Sequence, residues 1–364
     1  MGNDGAGLFI ATFGFARLFG DLIGGSIVAR KGERWAAVVG MAFLALCSTA
    51  TAAAPNFVVA TISWGLAGVG SAVVFASLFS YILKAAHEDR VARTLSFFYG
   101  AFNIGIIAGG AAGGFIADSY GLQAPLYGYP LILIVGIVVY LRFVPRLPGS
   151  PSQAAAIDVL AEEPPEAPLP SGRVVRDLLR VPGFPAALFL NLAYLWMVAA
   201  VFNTLLPLFA TDRFGMSPAA IGAMFSVAIA AEFVVLFPAG ALADRYGRRA
   251  LMIPALLGLT IMIVAIGAAT SALVLTILLA VLALFSGFGG VPPAAILSDV
   301  VPKQHSGRAV GAFRFCGDIG FFLGPLVAGA ASKAFGFGIA FALVAIVEVV
   351  ALIVAFRMKE TLRR

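Results

Sequence analysis

Six ionisable side chains stand inside long apolar runs of this chain: Arg17, Asp21, Glu232, Arg314, Asp318 and Glu348. A charge held at membrane depth costs about 3 kcal/mol or more on insertion scales, so each is a functional candidate by default. Two spacings repeat. Arg17 and Asp21 are four residues apart, as are Arg314 and Asp318, so each pair shares one helical face. Such groups can form a fixed set of ion pairs that sets helix register. They can equally form a switch in which pairs exchange or an acid takes up a proton, with burial and the nearby arginines acting oppositely on that acid. Glu232 has no basic residue one turn away and reads as a proton carrier or as the wall of a wet cavity. Glu348 falls on the last apolar run and carries less weight. Asn191, Tyr194 and Asn203 dot a single span, and Tyr99 and Asn103 form a similar polar pair. Polar groups among aromatics suit a partly apolar solute, although hydrogen bonds between helices explain any one of them equally well.

These groups need apolar helices to hold them. The chain has 364 residues, 61% of them hydrophobic and 12% charged, with mean hydropathy +1.01. A soluble domain carries roughly 25% charged residues. Continuous apolar runs predict eleven transmembrane helices, at about 6–29, 35–54, 57–82, 93–117, 123–144, 184–210, 218–243, 250–270, 272–298, 309–332 and 335–356. The runs do not alternate, which excludes a membrane β-barrel. The fold class is therefore an all-α polytopic membrane protein. Between Arg146 and Pro182 the chain turns rich in Pro, Ala and Glu and reads as a linker, with a short amphipathic helix over Arg173–Arg180.

Basic residues fix the expected orientation. Of the 24 Lys and Arg, all but Arg17, Arg213, Arg314 and Lys333 fall in alternate loops and the C-terminal tail. Those loops, the linker and the C-terminus are expected in the cytoplasm of a cell-membrane protein, with the N-terminus outside. The net charge of +6 is thereby accounted for without nucleic acid. Cys47 and Cys316 sit within apolar runs, and His87 and His305 lie in charged loops, so no disulfide, metal site or cofactor is expected.

The halves repeat at one offset: residue n maps onto n + 215. Gly25, Arg30, Gly32 and Arg34 map onto Gly240, Arg245, Gly247 and Arg249, and Gly105, Gly109 and Gly121 onto Gly320, Gly324 and Gly336. The expected organisation is an N-terminal bundle (1–145), a cytoplasmic linker (146–182) and a C-terminal six-helix bundle (183–364). The span at 184–210 has no mate, because its partner would precede residue 1. The expectation is that a further helix belongs ahead of the first one here.

GALADRYGRR, from Gly240 to Arg249 and including Asp244, Arg245, Gly247 and Arg248, resembles the signature loop of the major facilitator superfamily. GSIVARKGER, Gly25–Arg34, stands in the corresponding first-half position, with Ala29 where the family has an acid. The resemblance implies two pseudo-symmetric bundles, here carrying family helices two to twelve, and a loop that latches the cytoplasmic side. It places Ala29 against the first latch and leaves Asp244 to serve the second. It also implies that the helices bearing Arg17 and Arg314 pack antiparallel. At 1.5 Å per residue from Arg30 and Arg308, Arg17 then lies about 20 Å deep, Asp21 about 14, Arg314 about 9 and Asp318 about 15, so each arginine could meet the other helix's acid. The run from Gly105 through Gly109 to Gly113, and its mate Gly320–Gly324–Pro325, resembles the fifth-helix pattern of family exporters. Close packing of small residues explains it too. Gly110 stands where proline is usual, and Trp64 where many exporters have arginine.

The implied function is secondary transport of a small organic solute by alternating access, proton-coupled, with export favoured over uptake. The implied partners are the solute, protons and the bilayer, and the implied state is a monomer. Proton-driven uptake and a non-transporting relative remain the alternatives. An enzyme is not expected, because no nucleophile–base pair, metal set or nucleotide-binding GxxxxGK[ST] run is present.

Overall fold

A computed structural model describes residues 3–85, 91–145, 176–301 and 306–361. Each expected span is a helix. In the first half these are α1 (Asn3–Lys31), α2 (Glu33–Ala52), α3 (Phe57–Ala85), α4 (Val91–Tyr120) and α5 (Ala124–Phe143). The second half opens with α6 (Phe184–Met197), a π-helical segment (Val198–Leu205) and α7 (Leu206–Phe214), which together form one span. It continues with α8 (Pro218–Tyr246), α9 (Arg248–Gly267), α10 (Ala272–Gly290), α11 (Pro292–Val300), α12 (Ser306–Phe335) and α13 (Phe337–Arg357). Among the described residues nine helices are long and apolar enough to cross a membrane; α1 and α4 fall outside that count. Most of the linker lies outside the described residues. Of the helix expected over Arg173–Arg180, one turn at 176–178 is described, and its Leu178 is buried.

The repeat holds at the level of helix ends. Asn3 and Lys31 map onto Pro218 and Tyr246, Glu33 and Ala52 onto Arg248 and Gly267, Phe57 onto Ala272, and Val91 and Tyr120 onto Ser306 and Phe335. The breaks between helices also match. Gly32 and Gly247 have φ of 83° and 111°, a region in which a side chain is strained.

The chain forms two compact units: Met1–Ala11 with Asn103–Ser119 and Pro170–Arg364, and Thr12–Phe102 with Tyr120–Leu169. The larger unit has one continuous core, in which Phe184, Leu190, Met197, Leu205, Leu259, Ile263, Leu275, Leu279 and Phe341 are almost wholly buried. Among the described residues the smaller has three small clusters, around Val28–Ala36–Val73, Ala37–Met41–Tyr140 and Leu44–Cys47–Ala67.

Lipid offers an apolar side chain nearly the same environment as protein does, so helices in a bilayer associate largely by close backbone approach. The glycines show where this happens. In the larger unit, a Cβ at Gly320 would run into the backbone of Leu192 and Trp196, and one at Gly324 into that of Trp196. These two glycines seat the span α6–α7 on α12. Gly114 and Gly222 face each other in the same way, and Ser226 Oγ donates to the Ile107 carbonyl at 2.8 Å. The first-half mates behave differently: a Cβ at Gly105, Gly109 or Gly113 would meet nothing within 4 Å among the described residues.

Candidate functional site

Glu232 lies midway along α8 in the larger unit. Its Oε1 accepts a hydrogen bond from the Tyr194 hydroxyl of α6 at 3.2 Å and from Ser286 Oγ of α10 at 3.1 Å. Ser286 is 1% exposed. Three helices therefore converge on one carboxyl group through neutral donors. Two glycines of α10 make the room. A Cβ at Gly287 would meet the Glu232 backbone oxygen at 3.0 Å, and one at Gly290 would press on the Tyr194 ring at 2.9 Å. Among the described residues no basic side chain pairs with Glu232. Sequence reasoning marked Glu232 and Tyr194 separately, and the fold brings them together. It passed over Ser286 because a lone serine in an apolar run carries no signal.

Asn191, one turn before Tyr194 on α6, is spent on packing. Its Nδ2 donates to the Phe313 carbonyl of α12 at 2.7 Å, against Gly317. Asn203 is exposed in the π-helical segment. That segment ends just before Pro207, whose missing N–H and bulky ring disrupt the regular ladder of the preceding turn. Thr204 Oγ1 takes up the carbonyl of Ala199, five residues back, at 2.9 Å. The side chains of Tyr99 and Asn103 lie outside the described residues.

The charged pairs fall in different units. Arg17 and Asp21 are on α1 in the smaller unit, and Arg314 and Asp318 are on α12 in the larger, where Asp318 is 2% exposed. Glu348, which carries less weight in the sequence, is not at the surface of its helix bundle. It is wholly buried on the packed face of α13 with Phe341, Val344, Ala345 and Ala351, because that face is turned into the bundle. Trp196 Nε1 donates to the Val344 carbonyl one turn away, at 3.2 Å.

The loop between α8 and α9 is built as a charged clasp. Arg248 pairs with Asp244, four residues before it, and its Nε donates to Asp299 Oδ2 of α11 at 3.0 Å. The N-terminus of α9 presents unpaired N–H groups. Glu360 accepts from two of them, Arg248 N at 2.9 Å and Arg249 N at 3.1 Å. Asp244 thus pairs with an arginine of its own loop, and the C-terminal tail supplies the acid for the helix end. Asp299 and Glu360 escaped sequence reasoning because both lie far along the chain from the loop they complete. Glu360 is exposed, so Glu360→Ala is expected to lower stability by about 1 kcal/mol, read as a lower melting temperature in detergent with the helix content kept.

The first-half loop keeps one contact of this clasp and reverses another. Arg34 Nη2 donates to the Leu141 carbonyl at 2.6 Å, just as its mate Arg249 donates to Phe356 O, the mate of Leu141, at 2.8 Å. The mate of Arg248 is an acid. Glu33 is 4% exposed and accepts from Ser80 Oγ at 3.0 Å. The side chains of Gly25 and Ala29 lie outside the described residues; Arg30 is exposed.

A family model described as Major Facilitator Superfamily matches residues 1–220 and 188–363. The chain belongs to the major facilitator superfamily. It superposes on the crystal structure of a D-xylose-proton symporter with TM-score 0.79 and 16% identity, over 99% of this chain and 88% of that one. The partially occluded, inward-open xylose transporter XylE from E. coli gives 0.76 and 15%, over 100% and 89%. At such identities the likeness concerns the fold. In sequence, 98 residues are 39% identical to multidrug resistance protein MdtG of Rahnella sp. (strain Y9602) and 37% identical to that of Enterobacter lignolyticus (strain SCF1). Each match covers 27% of this chain and 23% of the relative. This facilitator-superfamily chain is thus a multi-pass membrane protein whose charged loops repeat in both halves.

Proposed function

We propose that this chain is a secondary transporter that exchanges protons for a small, partly apolar organic solute, with Glu232 as the proton-carrying group. The observation that carries this reading is the Glu232–Tyr194–Ser286 constellation, an ionisable group at membrane depth whose partners among the described residues are neutral donors. A carboxylate only accepts hydrogen bonds, whereas the protonated acid also donates one. Proton uptake therefore changes how Glu232 is held by Tyr194 of α6 and Ser286 of α10. That gives the proton a mechanical hold on three helices of the C-terminal bundle. The halves 1–145 and 183–364 act as the two rocking bodies, with the linker and C-terminus on the cytoplasmic side. The clasp of Asp244, Arg248, Asp299 and Glu360 holds that side of the C-terminal half. The pairs Arg17–Asp21 and Arg314–Asp318 serve as a charge set on the two helices expected to meet across the halves. Similarity to the MdtG proteins favours export over uptake, and the chain acts as a monomer without a cofactor and without enzyme activity.

The test is substrate-induced proton movement. Everted vesicles containing the protein, with the interior acidified, are challenged with a panel of organic solutes while an internal pH dye is read. The expected result is protein-dependent alkalinisation on adding one or more of them. Solute movement indifferent to an imposed pH gradient would refute the coupling.

A further inference from the structure

The smaller unit carries a groove of about 440 Å³ on its surface that the proposed transport cycle does not use. Its walls are apolar: Ile23 and Ile27 from α1, Val39 and Phe43 from α2, and Val69 and Val73 from α3. Ile23 and Val39 are 49% and 40% exposed, so the groove is open along its length. Arg30, Lys31 and Trp35 stand together at one end, and Trp35 is 49% exposed. That end belongs to the loop whose basic residues mark the cytoplasmic face. Tryptophan is the residue that settles at the boundary between headgroups and hydrocarbon. Seven residues separate Ile23 from Arg30, so the apolar walls run about 10 Å into the hydrocarbon from the basic end.

The repeat places different side chains at the corresponding positions of the second half. Gly70 of the α3 wall has Phe285 as its mate, and Val69 and Val73 have Leu284 and Phe288. In the second half the Phe285 ring lies directly on Gly258, the mate of Phe43, and fills the space between the helices. In the first half the aromatic and the glycine have changed places: the Phe43 ring edge lies 3.2 Å from where a Gly70 Cβ would stand, and both residues line the groove. Lys31 also has no basic mate, since Tyr246 stands there.

An occupant needs an apolar body about as deep as one leaflet's upper half and an acidic head at the level of two adjacent cations. We propose that the groove binds one anionic phospholipid, its headgroup on Arg30 and Lys31 and an acyl chain along Ile23, Val39 and Phe43. Charge complementarity distinguishes it from a zwitterionic lipid, because juxtamembrane basic residues attract anionic headgroups. A soluble acid lacks the apolar body that the walls require.

Native mass spectrometry of the purified chain in detergent tests this, with palmitoyl-oleoyl phosphatidylglycerol and phosphatidylcholine added in equal amounts. The wild type is expected to retain one phosphatidylglycerol in preference to phosphatidylcholine. The double change Arg30→Gln with Lys31→Gln is expected to lower that retention about tenfold or more. Val39→Trp, which fills the groove and leaves the cations in place, is expected to lower it similarly. Lys31→Gln alone gives an intermediate loss and guards against a misfolded double variant. Equal retention of the two lipids by the wild type overturns the proposal. So does a loss confined to the charge variants, which indicates surface attraction without a seated chain, or a lipid-free dimer that Val39→Trp dissociates.

Discussion

Glu232→Gln is expected to reduce proton-driven accumulation to about the level of empty vesicles while leaving the protein folded. Glutamine keeps the shape and the acceptor oxygen, so Tyr194 and Ser286 can still donate to it. It cannot release or take up a proton. Downhill movement of the solute, measured by counterflow with no pH gradient, should therefore persist. Tyr194→Phe and Ser286→Ala remove one donor each and leave the carboxyl titratable. Each should shift the pH dependence of transport and keep the coupling. Retention of proton-driven accumulation by Glu232→Gln would remove Glu232 from the mechanism. Loss of counterflow as well would assign it to substrate binding.

Gly320→Leu is expected to prevent correct assembly of the C-terminal bundle, whereas Gly105→Leu in the same 364-residue chain should be nearly silent. At Gly320 any side chain meets the backbone of Leu192 and Trp196, and helix backbone cannot step aside as a side-chain tip can. Overpacking of this kind costs about 1–3 kcal/mol and sometimes more. Here it would also pull α6 off α12 and strain the Trp196–Val344 and Asn191–Phe313 bonds. Gly105 holds the same place in the repeat but has open space around it among the described residues. The measurement is the fraction of each variant that stays monodisperse on size exclusion after mild heating.

The two glycines also show how far the sequence could be read. Gly105 and Gly320 are indistinguishable as members of a repeat, and the offset that relates them also relates the helix ends of the two halves. Residue type alone could not say that one touches a helix and the other does not. The loop Gly240–Arg249 was legible because its charges and glycines are contiguous. The acids that complete it, Asp299 and Glu360, were invisible because they arrive from other helices. The burial of Glu348 was illegible for a related reason. A hydrophobic run in a membrane protein has no polar face to mark its outside, so the face of α13 that turns inward cannot be read from its pattern.

What the sequence determined by itself is the class of molecule and its periodic frame. The scarcity of charge, the length of the apolar runs, the asymmetry of Lys and Arg and the repeat follow from solvation, which acts on each residue by type and position along the chain. The tertiary structure alone decided which groups meet. Tyr194, Glu232 and Ser286 come from three helices and converge because glycines at positions 287 and 290 let those helices approach within a side chain's reach. Such convergence depends on the rotation and separation of whole helices, which neighbouring residues along one strand of sequence do not encode.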